Sequence, residues 1–342
     1  MLRVDVFTKL LKKRKRSEKD NMEGSISSSS VSSFRWNIHS SSIKVACLTG
    51  DEFRSAAESS AACFTCNRLT VLFSKPMALE ELFICTKLWH TYSDPERVIL
   101  GCQRSLENLN LDYIDLYLIH SPLAAQASDD TLYPKTKDGK PAYSDVDYVC
   151  TWIAMEELAK KRLCKSIGIS NFNKKQVQRV LDNGRIVPQN HQIEHHPYLT
   201  QKELTKFCAA NKITITAFAP LGSPNRPWAG KDTPKILLSD PKAKKKLCMS
   251  SFIIYFFFLV LDIAKKHDKS PAQVLLRYQI ELGHATVPNA GRSEQFLIEN
   301  INIFDFCLHP DEIAALNSLN ADMRYFKFTG AAGHPHHPFE TK

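Results

Sequence analysis

The sequence predicts an α/β protein built on a parallel sheet, and two observations carry that expectation. From residue 82 onward, short apolar runs alternate with helix-length segments whose apolar residues recur at helical spacing. Several of the apolar runs also end on a polar or ionisable residue, Lys87 and His120 first among them. Strands and helices alternating in this way form parallel sheets, and the loops at the C-terminal ends of such strands converge on one pocket. With 342 residues, 43% of them hydrophobic, the chain has material for one large barrel or two ordinary domains.

The chain opens with a segment, residues 1–42, that does not read as folded structure. LLKKRKRSEKD and SISSSSVSS offer few apolar side chains to offset the entropy of ordering, so a disordered basic and Ser-rich tail is expected. KKRKR, from Lys12 to Arg16, has the form of a nuclear-import or nucleic-acid patch as well as of a solvated tail. No apolar run of useful length follows these early cations, so a secretory signal is not expected. Residues 43–79 hold IKVACL, DEFRSAAESSAAC and LTVLF, a poor strand-helix-strand where a barrel's opening units belong. Cys63 and Cys66 form a lone C-x-x-C with no partner pair, which does not make a zinc site. The ten cysteines follow no repeated spacing, which points to reduced thiols and a cytoplasmic setting.

Next comes the stretch that organises the rest. LFIC at residues 82–85 reads as a strand delivering Lys87. Val98, Leu100, Cys102, Leu106 and Leu109 are spaced so that several share a helical face, and IDLYLI at 114–119 is a second strand delivering His120. A loop over 123–147 is rich in Asp, Lys, Pro and Tyr. TWIAMEELAKKR predicts an amphipathic helix over 151–162, and CKSIGIS a strand ending in Ser170 and Asn171. FNKKQVQRVLDN is a helix stopped at Gly184, and VPQNHQIEHH a strand ending near Gln192. LTQKELTKFCAANK predicts a helix with Thr200 as N-cap and Glu203 closing a capping box. ITITAFAPLG is a strand, SPAQVLLRYQIEL a helix capped by Ser270, and HATVPNAG the last strand. One block breaks the rhythm. Residues 252–261 are apolar throughout, too short to span a bilayer, and read as an insertion near 247–261 ahead of a helix resuming at Asp262.

TKLW followed by LDYIDLYLIHSP resembles the lysine and histidine strands of the aldo-keto reductases. The likeness continues through GISNF, HQIEHHPYL, AFAPLGSPNRPW, SPAQVLLR, ENINIFDF and the tail RYFKFTGAAGHPHHPF, covering residues 80–339. It implies a (β/α)₈ TIM barrel of the aldo-keto reductase type, incomplete at its first β/α units, that reduces aldehydes or ketones with NADPH, NADH being the alternative. The resemblance makes Lys87 and His120 catalytic positions. It assigns Ser170, Asn171 and Gln192 to the nicotinamide carboxamide and Phe218 to stacking on its ring, where the family usually has tyrosine. Leu221 and Ser223 match the pyrophosphate loop, Glu299 and Asn300 the adenine contacts, and Trp89 and Trp228 the walls of the substrate pocket. The partners so implied are a small carbonyl compound and the cofactor, with no membrane, no nucleic acid and a monomeric state.

Two departures from the family pattern follow. The proton-donating tyrosine and its aspartate lie upstream of the lysine strand in that family, whereas the first tyrosine here is Tyr92 and the only nearby upstream aspartate is Asp51, in an unmatched context. The family's lysine at the cofactor 2′-phosphate is replaced by Asn289, with Arg292 as the stand-in. Losing a positioned general acid costs about 10²–10⁴ in rate, so impaired activity is expected. Two other readings stand beside it, a non-catalytic nucleotide-binding or scaffold protein and an ordinary reductase whose gene has been misread.

Overall fold

The computed structural model describes residues 44–47, 82–223, 251–289 and 294–339. The described residues fall into two compact units. The first takes in those up to His120, Ala124–Lys135 and Val146–Gly168, and the second Ser121–Leu123, Thr136–Asp145 and those from Ile169 onward. Residues 1–42, Cys63 and Cys66, Trp228 and Arg292 lie outside the described set.

In the first unit the strands β1 (Lys44–Cys47) and β2 (Leu82–Leu88) run parallel, with Cys47 opposite Cys85. Helix α1 (Pro95–Leu109) then crosses over to β3 (Ile114–Ile119), parallel to β2 with Leu88 opposite Ile119. Every residue of β3 is buried, as a strand covered on both faces requires. Asp94 starts α1 by accepting from the Glu96 amide at 3.1 Å, with Pro95 in the first turn. Asn110, left-handed at φ 52°, ends it. Gly101 lets α1 lie close over the end of β2, since a Cβ there would meet Leu88 and Tyr92 at 2.8 Å. Helix α2 (Tyr148–Lys160) begins three residues before the expected Thr151 because Asp147 caps the Val149 amide at 2.9 Å. It buries Trp152, Met155 and Leu158 and leads into β4 (Cys164–Ser170), the neighbour of β3.

Strand β4 continues past Gly168 into the second unit, where β5 (Asn190–Glu194), β6 (Thr214–Phe218) and β7 (Ala285–Val287) follow it in order, all parallel. The helices are α3 (Lys174–Asn183), α4 (Lys202–Ala210), α5 (Ser251–Lys266), α6 (Pro271–Glu281), α7 (Glu294–Ile301) and α8 (Pro310–Asn317). Capping boxes of Asn173 with Gln176 and of Ser270 with Gln273 start α3 and α6. The expected cap at Thr200 is not formed. Helix α4 starts after Gln201, left-handed at φ 43° and without a side-chain cap, because that side chain donates to the Glu194 carbonyl at 2.6 Å and receives Arg324 at 2.9 Å. The apolar block at 252–261 lies within α5, whose later turns place Val260, Ile263 and Ala264 in a core with Tyr198, Val274, Leu275, Tyr278 and Leu316. Among the described residues no helix is long and apolar enough to cross a membrane.

Candidate active site

In the first unit, parallel pairing of β2 with β3 carries Lys87, Trp89 and His120 to one strand edge, the C-terminal one. Lys87 is buried, and Trp89 and His120 are half-buried. The Trp89 indole N–H donates to the Leu132 carbonyl at 2.6 Å, which fixes the ring. Against that ring stand His120, edge-on with centroids 5.0 Å apart, and Tyr133 at 5.2 Å. A third aromatic, His90, lies 5.0 Å from Trp89 and 5.2 Å from His120. His120 is held well below the ordinary histidine range, first by loss of water around the ring and then by His90 and the Lys87 cation. Desolvation lowers His90 to about 4. Both imidazoles are therefore neutral at pH 7. Sequence reasoning missed His90 and Tyr133, because a 3₁₀ turn and a loop fold them back and neither has a periodicity to betray it.

In the second unit, β4 and β5 pair Ser170 with Gln192 at their ends. The Ser170 hydroxyl donates to the Gln192 carbonyl at 2.9 Å and accepts from the Asn171 amide at 3.1 Å. Asn171 takes a left-handed backbone at φ 62°, and all three residues are buried. Behind them the His191 Nε2 accepts from the Phe172 amide at 3.1 Å, so Nδ1 carries the proton and faces the Cys208 sulfur at 3.6 Å. Phe218 ends β6 half-buried, its ring edge-on to Phe326 at 5.2 Å. Leu221 packs on the core, and Ala219, Gly222 and Ser223 all have left-handed backbones. Glu299 and Asn300 lie on α7 half-buried, with Glu299 accepting from Gln295 at 3.0 Å, and Asn289 is exposed.

The C-terminal segment is tied down in the same unit by a buried carboxylate at the end of β5. Glu194 accepts from the Tyr325 and Phe326 amides at 2.8 and 3.0 Å and from His196 Nε2 at 3.0 Å. Among the described residues, no three or more His, Cys, Asp or Glu side chains are grouped so as to hold a metal ion.

Comparison with known proteins decides what this arrangement belongs to. The family described as "Aldo/keto reductase family" matches residues 69–321. The chain belongs to the aldo/keto reductase family. Two relatives are Aldo-keto reductase family 1 member A1 of Gallus gallus, 39% identical over 275 residues, and member A1-A of Danio rerio, 38% identical over 276, each match covering 78% of both chains. An aldose reductase structure from Schistosoma japonicum aligns with a TM-score of 0.70 at 33% identity over 86% of each chain. The fold is thus the TIM-barrel type of this family, an oxidoreductase family that acts on small carbonyl substrates. The family match opens at residue 69, eleven residues ahead of the motifs that carry the resemblance from residue 80.

Proposed function

We propose that this chain binds a reduced nicotinamide dinucleotide, NADPH with NADH as the alternative, and reduces small aldehydes or ketones at a rate well below that of a complete family member. The observation that carries the reading is the set at the end of β2 and β3. Lys87, Trp89 and a neutral His120 share one edge, while no tyrosine precedes Lys87 anywhere in the sequence. A neutral imidazole N–H next to a lysine can orient and polarise a carbonyl oxygen, but proton delivery to the nascent alkoxide lacks its dedicated donor.

The cofactor reading rests on donor chemistry. A carboxamide needs both donors and acceptors, and Ser170, Asn171 and Gln192 supply them at adjoining strand ends. Phe218 offers an aromatic face for the ring, which requires no hydroxyl. When bound, the nicotinamide supplies the hydride. Leu221, Ser223, Glu299 and Asn300 are the groups proposed for the pyrophosphate and adenine, with Arg292 at the 2′-phosphate and Trp228 on the substrate side. We take residues 80–339 as the barrel, 43–79 as the divergent replacement of its first units, and the protein as a cytoplasmic monomer with a basic tail.

Binding and turnover should separate. Fluorescence titration is expected to detect weak NADPH binding, while NADPH oxidation with a generic aldehyde stays close to background. Robust turnover would overturn the impaired reading, and no binding of either nucleotide would favour a scaffold.

A further inference from the structure

We propose that His90 is a positioning residue of the carbonyl site, packing on His120 and Trp89 so as to hold the His120 ring in one orientation and in its neutral, hydrogen-bond-donating form. The inference rests on the reading of Lys87 and His120 as the carbonyl-facing pair.

Three rings form a closed set. Trp89 touches both imidazoles at 5.0 Å, and the imidazoles face each other at 5.2 Å with planes 32° apart. Trp89 is fixed by its bond to the Leu132 carbonyl, so neither histidine can turn without displacing an anchored neighbour. The backbone under His90 is fixed as well. The His90–Tyr92 turn is closed by the Tyr92 amide on the Trp89 carbonyl at 3.0 Å. Thr91 and Tyr92 are buried, Arg97 donates to the Thr91 carbonyl, and Thr151 donates to the Ser93 carbonyl at 2.6 Å. A side chain on such a turn is presented to its neighbour with little freedom left to lose.

The electrostatics agree with the geometry. Among the described residues, His90 and Lys87 act electrostatically on His120, and both oppose a second positive charge. Tyr133 packs edge-on against Trp89, and Arg97 is paired with Asp129 at 2.7 Å. Beside the Lys87 charge, a proton on either ring would place two positive charges in a partly desolvated site, and one on each ring would place three. His120 therefore meets a carbonyl oxygen as an N–H donor that does not titrate in the physiological range. A site without a dedicated proton donor depends on that donor more than a complete one does.

The test is a side-chain NMR titration of the histidines in the full chain, comparing the parent with His90→Asn and His90→Phe. Asparagine removes the second titrating ring, whereas phenylalanine keeps the packing and removes only the nitrogens. In the parent, His120 is expected to titrate well below an ordinary histidine. In His90→Asn its midpoint should rise by about one pH unit, a tenfold gain in proton affinity. In His90→Phe the His120 ring resonances should keep their parental pattern, because the packing survives. A midpoint unmoved in both variants overturns the proposal even if carbonyl reduction is robust. A shifted midpoint supports it even if turnover is absent, so its failure and that of the functional reading are told apart. Where residual reduction is measurable, His90→Asn should lower kcat about tenfold and give its pH profile a new limb near that midpoint, whereas His90→Phe, which keeps the packing, should hold kcat close to the parent.

Discussion

Asn289 stands exposed two residues beyond β7, where the family resemblance puts a lysine. An added cation at an exposed position gains little from a neutral or distant partner and most from a doubly charged phosphate it can touch. Asn289→Lys should therefore tighten NADPH by about threefold to tenfold while leaving NADH within about twofold. Parallel fluorescence titrations measure the two, and equal tightening of both would place the 2′-phosphate elsewhere. Aldehyde reduction should not recover, since the substitution supplies no proton at the carbonyl. Lys87 and His120 were legible because each closes a run of apolar residues, and a strand end is a fixed address. His90 was not, because only the turn after Trp89 brings its ring back to His120.

The elements themselves were read with uneven success, and the misses differ in cause. Strand β4 runs from Cys164 to Ser170 as its sequence suggests, and α6 begins on its Ser270 cap. The caps of α2 and α4 differ from expectation. Asp147 extends α2 backward, and Gln201 abandons α4 for Glu194 and Arg324. Asp147 is a local cap that the sequence already offered, whereas Arg324 lies far along the chain from Gln201, where local propensity has no access to it. Gly101 gives the packing of α1 a direct test. Its missing Cβ is what lets the helix approach Leu88 and Tyr92, and the Tyr92 Cβ cannot swing aside as the tip of a long side chain would. Gly101→Val should destabilise the first unit by about 1–3 kcal/mol through overpacking, despite the entropic advantage of removing a helical glycine. A urea melt monitored by tryptophan fluorescence reports the change. An unchanged or higher midpoint would mean that α1 can shift outward at no cost.

For the molecule as a whole, histidines with lowered values set how it meets acid, His90 and His120 in the first unit and three fully or nearly buried ones in the second. Loss of water lowers His191 and His195 to about 3 and His284 to about 4, with His284 adding to the effect on His195 from a ring 4.7 Å away. In the unfolded chain each titrates near 6.5. Between pH 6.5 and those lowered values the unfolded state binds more protons than the folded one, so stability falls as pH falls through this window. Each fully titrating group contributes up to about 1.4 kcal/mol per pH unit. Above about pH 8 all three are neutral in both states and contribute almost no slope. The paired carboxylates act lower down. Glu312, held below its usual range by His267 and the His309 amide despite its burial, and Asp305, held down by Lys269, have unfolded values near or below 4.5. Between pH 6.5 and 5 these histidines therefore dominate over the carboxylates. The urea midpoint at pH 5 should lie clearly below that at pH 7.5. In His284→Asn the difference should shrink, because one titrating ring is gone and its push on His195 with it. Equal midpoints at the two pH values would mean that these rings reach water, or already carry protons, in the folded state.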